Sequence, residues 1–374
     1  MKKKLYRLTT ISCAFNELIR GQLQFLNQHF DVTAVANDTG TLDEVKKREG
    51  VNVVDIKMAR EISLWQDIKS LIALYKLFKR DKPDIVHANT PKASLLGMVA
   101  AWAARVPHRV YTVTGLRFET TTGILRFILK TMERITCACA TKIIPEGDGV
   151  KQTLRRENIT QKPLQKILNG NINGIDLTHF SRSEEVMSKA KEFTTDAFTF
   201  VFVGRVVKDK GINELIAAFD RLSSQYNNIK LYIVGRLEEQ LDPILPHTIE
   251  TIRNNKAIIS VGYQKDVRPF IAASDVLVLP SYREGFPNVV IQAGAMGLPS
   301  IVTDISGCNE IIINGQNGII IPKQNEHALY EAMEYVVNNR DNVNAMASRA
   351  RDLVASRFNQ QDVWQAILEM YKTL

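Results

Sequence analysis

Pro280-Ser-Tyr-Arg-Glu-Gly-Phe-Pro-Asn-Val-Val-Ile-Gln-Ala-Gly-Ala-Met-Gly-Leu-Pro299 decides how this chain folds. The four residues before it, Val276-Leu-Val-Leu279, are all apolar, as a parallel strand covered on both faces requires. Pro280 ends that strand. Asn288 is placed to cap a short helix, and Gly297 followed by Pro299 stops it. Such a helix turns unpaired backbone N–H groups and a positive dipole end toward the crevice beyond the strand. That favours an anion by ~0.3–1 kcal/mol per nearby negative charge. Glu284 in the loop and Gln292 one turn into the helix place two long acceptor side chains beside it. Hydroxyls and phosphates in one ligand would satisfy both, as in a nucleotide sugar. The plainer reading is an ordinary strand–helix turn with a solvated Glu284.

The same pattern extends in both directions. Upstream, 198–203 reads as a strand leading into Gly204-Arg205 and then Lys210-Gly211. Gly204 allows close backbone approach, and Arg205 and Lys210 add two cations. A basic surface loop is the alternative. Further strands are expected at 231–234, at the run from Ile258 to Tyr263, and at 301–303. The first half alternates strand candidates at 5–11, 32–36, 51–56, 85–88, 110–113 and 142–144 with helical patterns, which implies a doubly wound parallel sheet. The clearest helix carries Leu64, Ile68, Leu71, Ile72, Tyr75 and Phe78 on one face. Gly123–Arg134 is apolar on one side and basic on another. A helix packed on the sheet is the expected reading, with an anionic membrane surface as the other.

A chain of 374 residues suits two domains. Residues 1–180 hold 28 Lys and Arg against 17 Asp and Glu, a balance of +11; the remainder carries −3. A basic half suggests an anionic partner, nucleic acid or membrane. No apolar signal core follows the basic start, and the longest uncharged stretch of the first half is too short to span a bilayer. Cys13, Cys137, Cys139 and Cys308 have neither zinc-site nor disulfide-framework spacing, so a reducing cytoplasm is the simplest setting. There is no Asp-x-Asp pair, no phosphate-loop motif and no basic segment interleaved with aromatics.

Glu284-Gly285-Phe286, followed eight positions after the Glu by Gln292, resembles the donor motif of the retaining glycosyltransferase family 4, which has the GT-B fold. The family usually has a second Glu where Gln292 stands. The resemblance covers nearly the whole chain. It implies an α/β protein with two Rossmann-like parallel-sheet domains facing across a cleft: an acceptor-side domain at 1–176, a donor domain at 177–358, and a last helix at 359–374 packed back on the first domain.

It further implies a metal-independent enzyme without a cofactor. Glu284, Arg205 and Lys210 would be catalytic, the two cations holding the donor diphosphate. Gly204, Gly262, Tyr263, Gly285, Phe286, Pro287, Asn288 and Gln292 would bind the donor. Gly21, His87, Asn89, Lys92, Thr114 and Arg117 are candidates for the acceptor or cleft. The plain alternatives are a capped-turn residue for His87, a packed tyrosine for Tyr263 and a surface arginine for Arg117. Thr114 stands where many members have His, and a threonine cannot carry a proton.

The passage 283–299, with Thr114-Gly-Leu-Arg-Phe-Glu119, resembles a bacterial branch that extends polyprenyl-diphosphate-linked sugars for surface polysaccharides. The resemblance implies a UDP-sugar donor carrying HexNAc or galactose, a lipid-linked saccharide acceptor, an anionic membrane surface met by the basic half, no nucleic acid, and a cytoplasmic protein peripheral at the inner face of the membrane. Two other readings stay open: a UDP-sugar 2-epimerase on the same fold, and a non-enzymatic anion-binding module.

Overall fold

The computed structural model describes residues 2–59, 63–238 and 242–374. The chain divides into two compact units, Met1–Gly174 with Gln360–Leu374, and Ile175–Asn359. In the first unit β1 (Lys4–Ile11), β2 (Asp31–Asn37), β3 (Asn52–Asp55), β4 (Ile85–Ala88), β5 (His108–Val113) and β6 (Lys142–Pro145) form one sheet in the order β3-β2-β1-β4-β5-β6. Every pair is parallel, with Tyr6 opposite both Thr33 and Val86. Two hydrophobic clusters cover its faces. One contains Leu8, Val86, Leu74 and Phe78; the other contains Leu5, Val32, Phe15 and Tyr371. Adjacent strand residues thus feed opposite cores, which is why these strands read as continuous apolar runs.

The second unit repeats this plan with β7 (Phe198–Val203), β8 (Ile229–Val234), β9 (Ile258–Gly262), β10 (Val276–Leu279), β11 (Ser300–Thr303) and β12 (Gly318–Ile321), in the order β12-β11-β10-β7-β8-β9. All of its strand pairs are parallel. Counted from its own first strand, each sheet therefore has the doubly wound order 3-2-1-4-5-6. The strand order reverses between β1 and β4 in one unit and between β7 and β10 in the other. In open parallel sheets the loops leaving such strands diverge, and that is where ligands bind.

Two helices differ from their sequence reading. In the helix Leu64–Asp81 the buried residues are Ser70, Leu74, Leu77 and Phe78, while Leu64, Ile68, Ile72 and Tyr75 are exposed. Phe78 packs inward as expected and Leu71 is half-buried on the core, but the rest of the expected face points outward, because Leu74 and Leu77 meet the sheet on the adjacent side of the helix. In the helix Gly123–Cys139 only Thr136 and Cys137 are fully buried, and Ile124, Phe127 and Ile128 face solvent. The expected packed apolar side is thus largely uncovered.

The latter helix turns one acid inward. Glu133 Oε2 accepts a hydrogen bond from the Tyr111 hydroxyl at 2.7 Å. Burial raises its carboxyl to about 7, partly offset by that hydrogen bond. The folded chain thus holds a proton that the unfolded chain releases near 4.5. Stability present below that value is lost as pH rises through 7, by roughly 3 kcal/mol. Urea denaturation at about pH 4.5 and pH 8 is expected to show this loss, and Glu133→Gln to flatten it. An equal slope in the variant would assign the pH dependence elsewhere.

Candidate functional site

The sequence candidates of the second unit lie where its parallel strands end. β7 runs into Gly204 and Arg205, β8 into Gly235 and Arg236, β9 closes with Gly262 before Tyr263, and β10 runs into the 280–288 loop. The first three are tied edge to edge: Gly204 N–H donates to Val234 O at 3.0 Å, and Gly235 N–H to Gly262 O at 2.8 Å.

Two loops flank the strand-order reversal, and they are pinned together. Lys210 Nζ donates to Glu284 Oε1, and Ser281 Oγ donates to the same oxygen at 2.7 Å. Tyr282 N–H donates to Asp209 O at 2.8 Å. The close approach depends on Gly211, at φ +70°, where a Cβ would stand 2.1 Å from Pro280 O. A second glycine closes the far side of the loop. Gly307 has φ +76°, and a Cβ there would stand 2.4 Å from Gly285 O and 2.8 Å from the Phe286 Cα. Both contacts are with backbone, so no side-chain shift could relieve them.

Lys210 and Glu284 are mostly enclosed, with side chains 20% and 13% exposed. Arg205 is 53% exposed and forms an ion pair with Glu238 at 3.0 Å. Behind the loop, the Cys308 thiol is pushed well up by burial and then by the Glu284 charge. Tyr263 is 69% exposed, with the Arg236 guanidinium 5.9 Å from its ring centre. Its ring is free to take a planar partner.

The helix after the loop is Asn288–Ala295, with Gln292 half-buried one turn in. Asn288 is its first helical residue, and Pro287 holds the capping position without a side-chain cap. The helix thus begins one residue earlier than an Asn288 cap would place it. Phe286 and Pro287 are buried, and the Phe286 ring packs edge-on against Phe358 at 5.5 Å. The Phe286 side chain thus anchors the loop in the core of the second unit.

In the first unit His87, Asn89 and Thr114 also meet at strand ends. Thr114 Oγ1 donates to Asn89 O at 2.9 Å. His87 and Asn89 are buried. Tyr371 Oη lies 2.5 Å from His87 Nδ1, and Thr112 Oγ1 lies 2.7 Å from Nε2. Arg7 Nη1 donates to Tyr371 Oη at 3.2 Å. Burial, then the Arg7 charge, hold the His87 pKa well below its usual value. His87 is thus a neutral, structurally engaged side chain.

Lys92 Nζ is held by both Asp67 oxygens, at 2.7 and 2.6 Å. Arg117 is exposed. Gly21 donates its N–H to Glu49 Oε1 at 2.9 Å and packs under the Trp364 ring, where a Cβ would be 2.8 Å away. It starts a helix and seats the C-terminal one.

Sequence reasoning missed several polar partners. Ser281 and Glu238 were unremarked neighbours of Glu284 and Arg205. Arg7, inside the 5–11 strand, is fully buried among Gln22, Tyr371 and Asn89. A charged residue inside an otherwise apolar run was the signal available for it. Among the described residues, no cluster of three or more His, Cys, Asp or Glu side chains is arranged to hold a metal.

The family described as "Glycosyl transferases group 1" matches residues 183–353, and "Glycosyl transferase 4-like" matches residues 15–146. The chain is 34% identical over 374 residues to a Staphylococcus aureus capsular polysaccharide biosynthesis glycosyltransferase, CapM, covering 99% of this chain and 97% of that protein. It is 30% identical over 342 residues to an Escherichia coli UDP-Gal:alpha-D-GlcNAc-diphosphoundecaprenol alpha-1,3-galactosyltransferase, covering 89% of this chain and 86% of that protein. Among solved structures, Anabaena HepE in complex with UDP superposes with a TM-score of 0.81 at 19% identity, covering 100% of both chains. That likeness establishes the GT-B fold.

Proposed function

Because this chain belongs to the group 1, family 4 glycosyltransferases, we propose that it moves a hexose or N-acetylhexosamine from a UDP-sugar to a hydroxyl of a lipid-diphosphate-linked saccharide, with retention of anomeric configuration. The observation that carries this reading is the Lys210–Glu284 contact across the strand-order reversal, beside the N-terminus of Asn288–Ala295. In open parallel sheets that is where ligands bind.

In this reading Glu284 accepts hydrogen bonds from donor-sugar hydroxyls. Lys210 and Arg205 face the diphosphate with the helix N-terminus, and Gln292 takes the ribose hydroxyls through an amide that both donates and accepts. Tyr263 offers a stacking surface for the base. The bond from the sugar's anomeric carbon to the diphosphate oxygen breaks, and its electron pair leaves on UDP. The acceptor oxygen attacks from the same face and gives its proton to the departing phosphate oxygen. The cations stabilise the charge that grows there. No covalent enzyme intermediate is required, and Thr114 cannot carry the proton that an epimerase would have to move.

Support for the substrates comes from the relatives. The E. coli protein is named for a UDP-galactose donor and a diphosphoundecaprenol-linked acceptor, and HepE was crystallised with UDP. The test is a thermal-shift screen against UDP, GDP, ADP and their sugar conjugates, followed by NMR of the product's anomeric centre. A ligand at 100 times its Kd adds ~2.7 kcal/mol of apparent stability. The expected result is a shift with UDP and a larger one with a single UDP-sugar, both reduced in Lys210→Ala, and a product with the donor's configuration. An inverted product would overturn retention. Isomerised UDP-sugar released without acceptor would overturn transfer.

A further inference from the structure

Lys210 and Glu284 stand on separate segments, and their own contact is one of several that join those segments. Lys210 ends the short turn Lys208–Lys210, and after Gly211 the helix Ile212–Ser223 begins. Glu214 lies in the first turn of that helix. On the facing loop, Tyr282 shortly precedes Glu284. The Tyr282 hydroxyl donates to Glu214 Oε1 at 2.5 Å. Between the two side-chain contacts lie the Tyr282 N–H bond to Asp209 O and an ion pair from Arg283 to Asp209 at 3.5 Å. The outer contacts are reciprocal. At Lys210–Glu284 the first segment gives a cation to an acid of the second; at Glu214–Tyr282 its own acid takes a hydroxyl of the second.

Glu214 is an unfavourable residue to keep in this place for stability alone. Its other oxygen, Oε2, is buried without a hydrogen-bond partner. The helix N-terminus favours the charge, but the orphaned oxygen is a cost that a leucine here would not incur. Tyr282 is 9% exposed. Burial, then the bond to Glu214, hold its hydroxyl well above the ordinary range of a phenol, so it remains a donor.

The Lys210–Glu284 contact has to be shared once the donor is bound. Glu284 Oε1 already accepts from Lys210 and Ser281, and a diphosphate competes for the lysine while sugar hydroxyls compete for the acid. The Tyr282–Glu214 bond uses neither group and persists when that contact loosens. We propose that Tyr282 and Glu214 are positioning residues for the transfer step, their hydrogen bond keeping Lys210 and Glu284 in register while both engage the donor. This rests on the transferase reading above.

The experiment compares Tyr282→Phe, Glu214→Ala, Glu214→Gln and the double variant Tyr282→Phe/Glu214→Ala by initial rates over a range of donor concentrations. Assays run well below each melting temperature, so that every variant is folded. A misplacement of about 1 Å is worth up to about 100-fold in rate, and the loss of this one tether is expected to lower kcat about ten-fold in Tyr282→Phe and in Glu214→Ala, with donor KM changed by less than about two-fold. The double variant should be no slower than the slower single one, because both remove the same bond. Glu214→Gln keeps an acceptor oxygen for the tyrosine and should recover most of the rate. A lower melting temperature with unchanged kcat would make the pair structural and overturn the proposal. So would multiplying losses in the double variant, a donor KM that rises at constant kcat, or a Glu214→Gln variant as slow as Glu214→Ala. If Glu214→Ala does not fold, Tyr282→Phe and Glu214→Gln carry the same test. If the transferase reading itself fails, wild type transfers no sugar and gives no UDP shift. If positioning alone fails, wild type and Tyr282→Phe transfer at the same rate.

Discussion

Lys210→Ala is expected to lower turnover by about 100-fold, the scale of losing one preorganised donor to a developing negative charge. Lys210 Nζ is held by Glu284, on a loop that Gly211 presses against Pro280 O. A cation fixed before the donor binds pays little reorganisation when the diphosphate departs, which is why its removal falls on kcat. Arg205 has no such restraint. It is 53% exposed and its partner, Glu238, lies on a neighbouring loop, so Arg205→Ala should cost clearly less than Lys210→Ala. Initial rates at saturating donor, with melting temperatures alongside, separate the effects. Unchanged kcat in Lys210→Ala would remove this lysine from the mechanism. A rate loss matched by a large drop in melting temperature would mark the pair as structural.

The second large effect concerns stability. Phe286→Ala is expected to destabilise the second unit by about 3–5 kcal/mol, the usual cost of emptying a buried aromatic site. Phe286 is 6% exposed and meets Phe358, itself wholly buried, edge to face. Phe286→Leu keeps most of the volume and should cost less than about 1.5 kcal/mol. Chemical denaturation measures both, and donor KM tells packing from contact. If Phe286→Ala keeps its stability while KM rises, the ring belongs to the ligand and not to the core.

This second case illustrates what motif reading leaves unresolved. Glu284, Gly285, Phe286 and Pro287 stand next to one another in a recognisable stretch, yet their side chains part ways: Glu284 meets Lys210 and Ser281, and Phe286 enters the core. The first unit shows the same division. His87 and Thr114 sit at strand ends as expected, but His87 is taken up by Tyr371, 284 residues further along the chain. No local pattern encodes a partner at that separation.

What the amino-acid sequence determined by itself was the alternation of strand and helix, the repetition of that pattern in two halves, and the family motif. These are local: an apolar run of four to eight residues buried on both faces, a glycine or proline at its end, and a loop beyond. Leu64–Asp81 and Gly123–Cys139 were legible as helices for the same reason. Which side of each helix faces inward was not. A helix with apolar residues around much of its circumference can pack in more than one rotation, and only the sheet beneath it selects one. The tertiary structure also decided which candidates hold one another, as Lys210 does Glu284 and Lys92 does Asp67. Ion pairs and buried polar networks form between residues that the strand order brings together, and strand order is a property of the whole sheet.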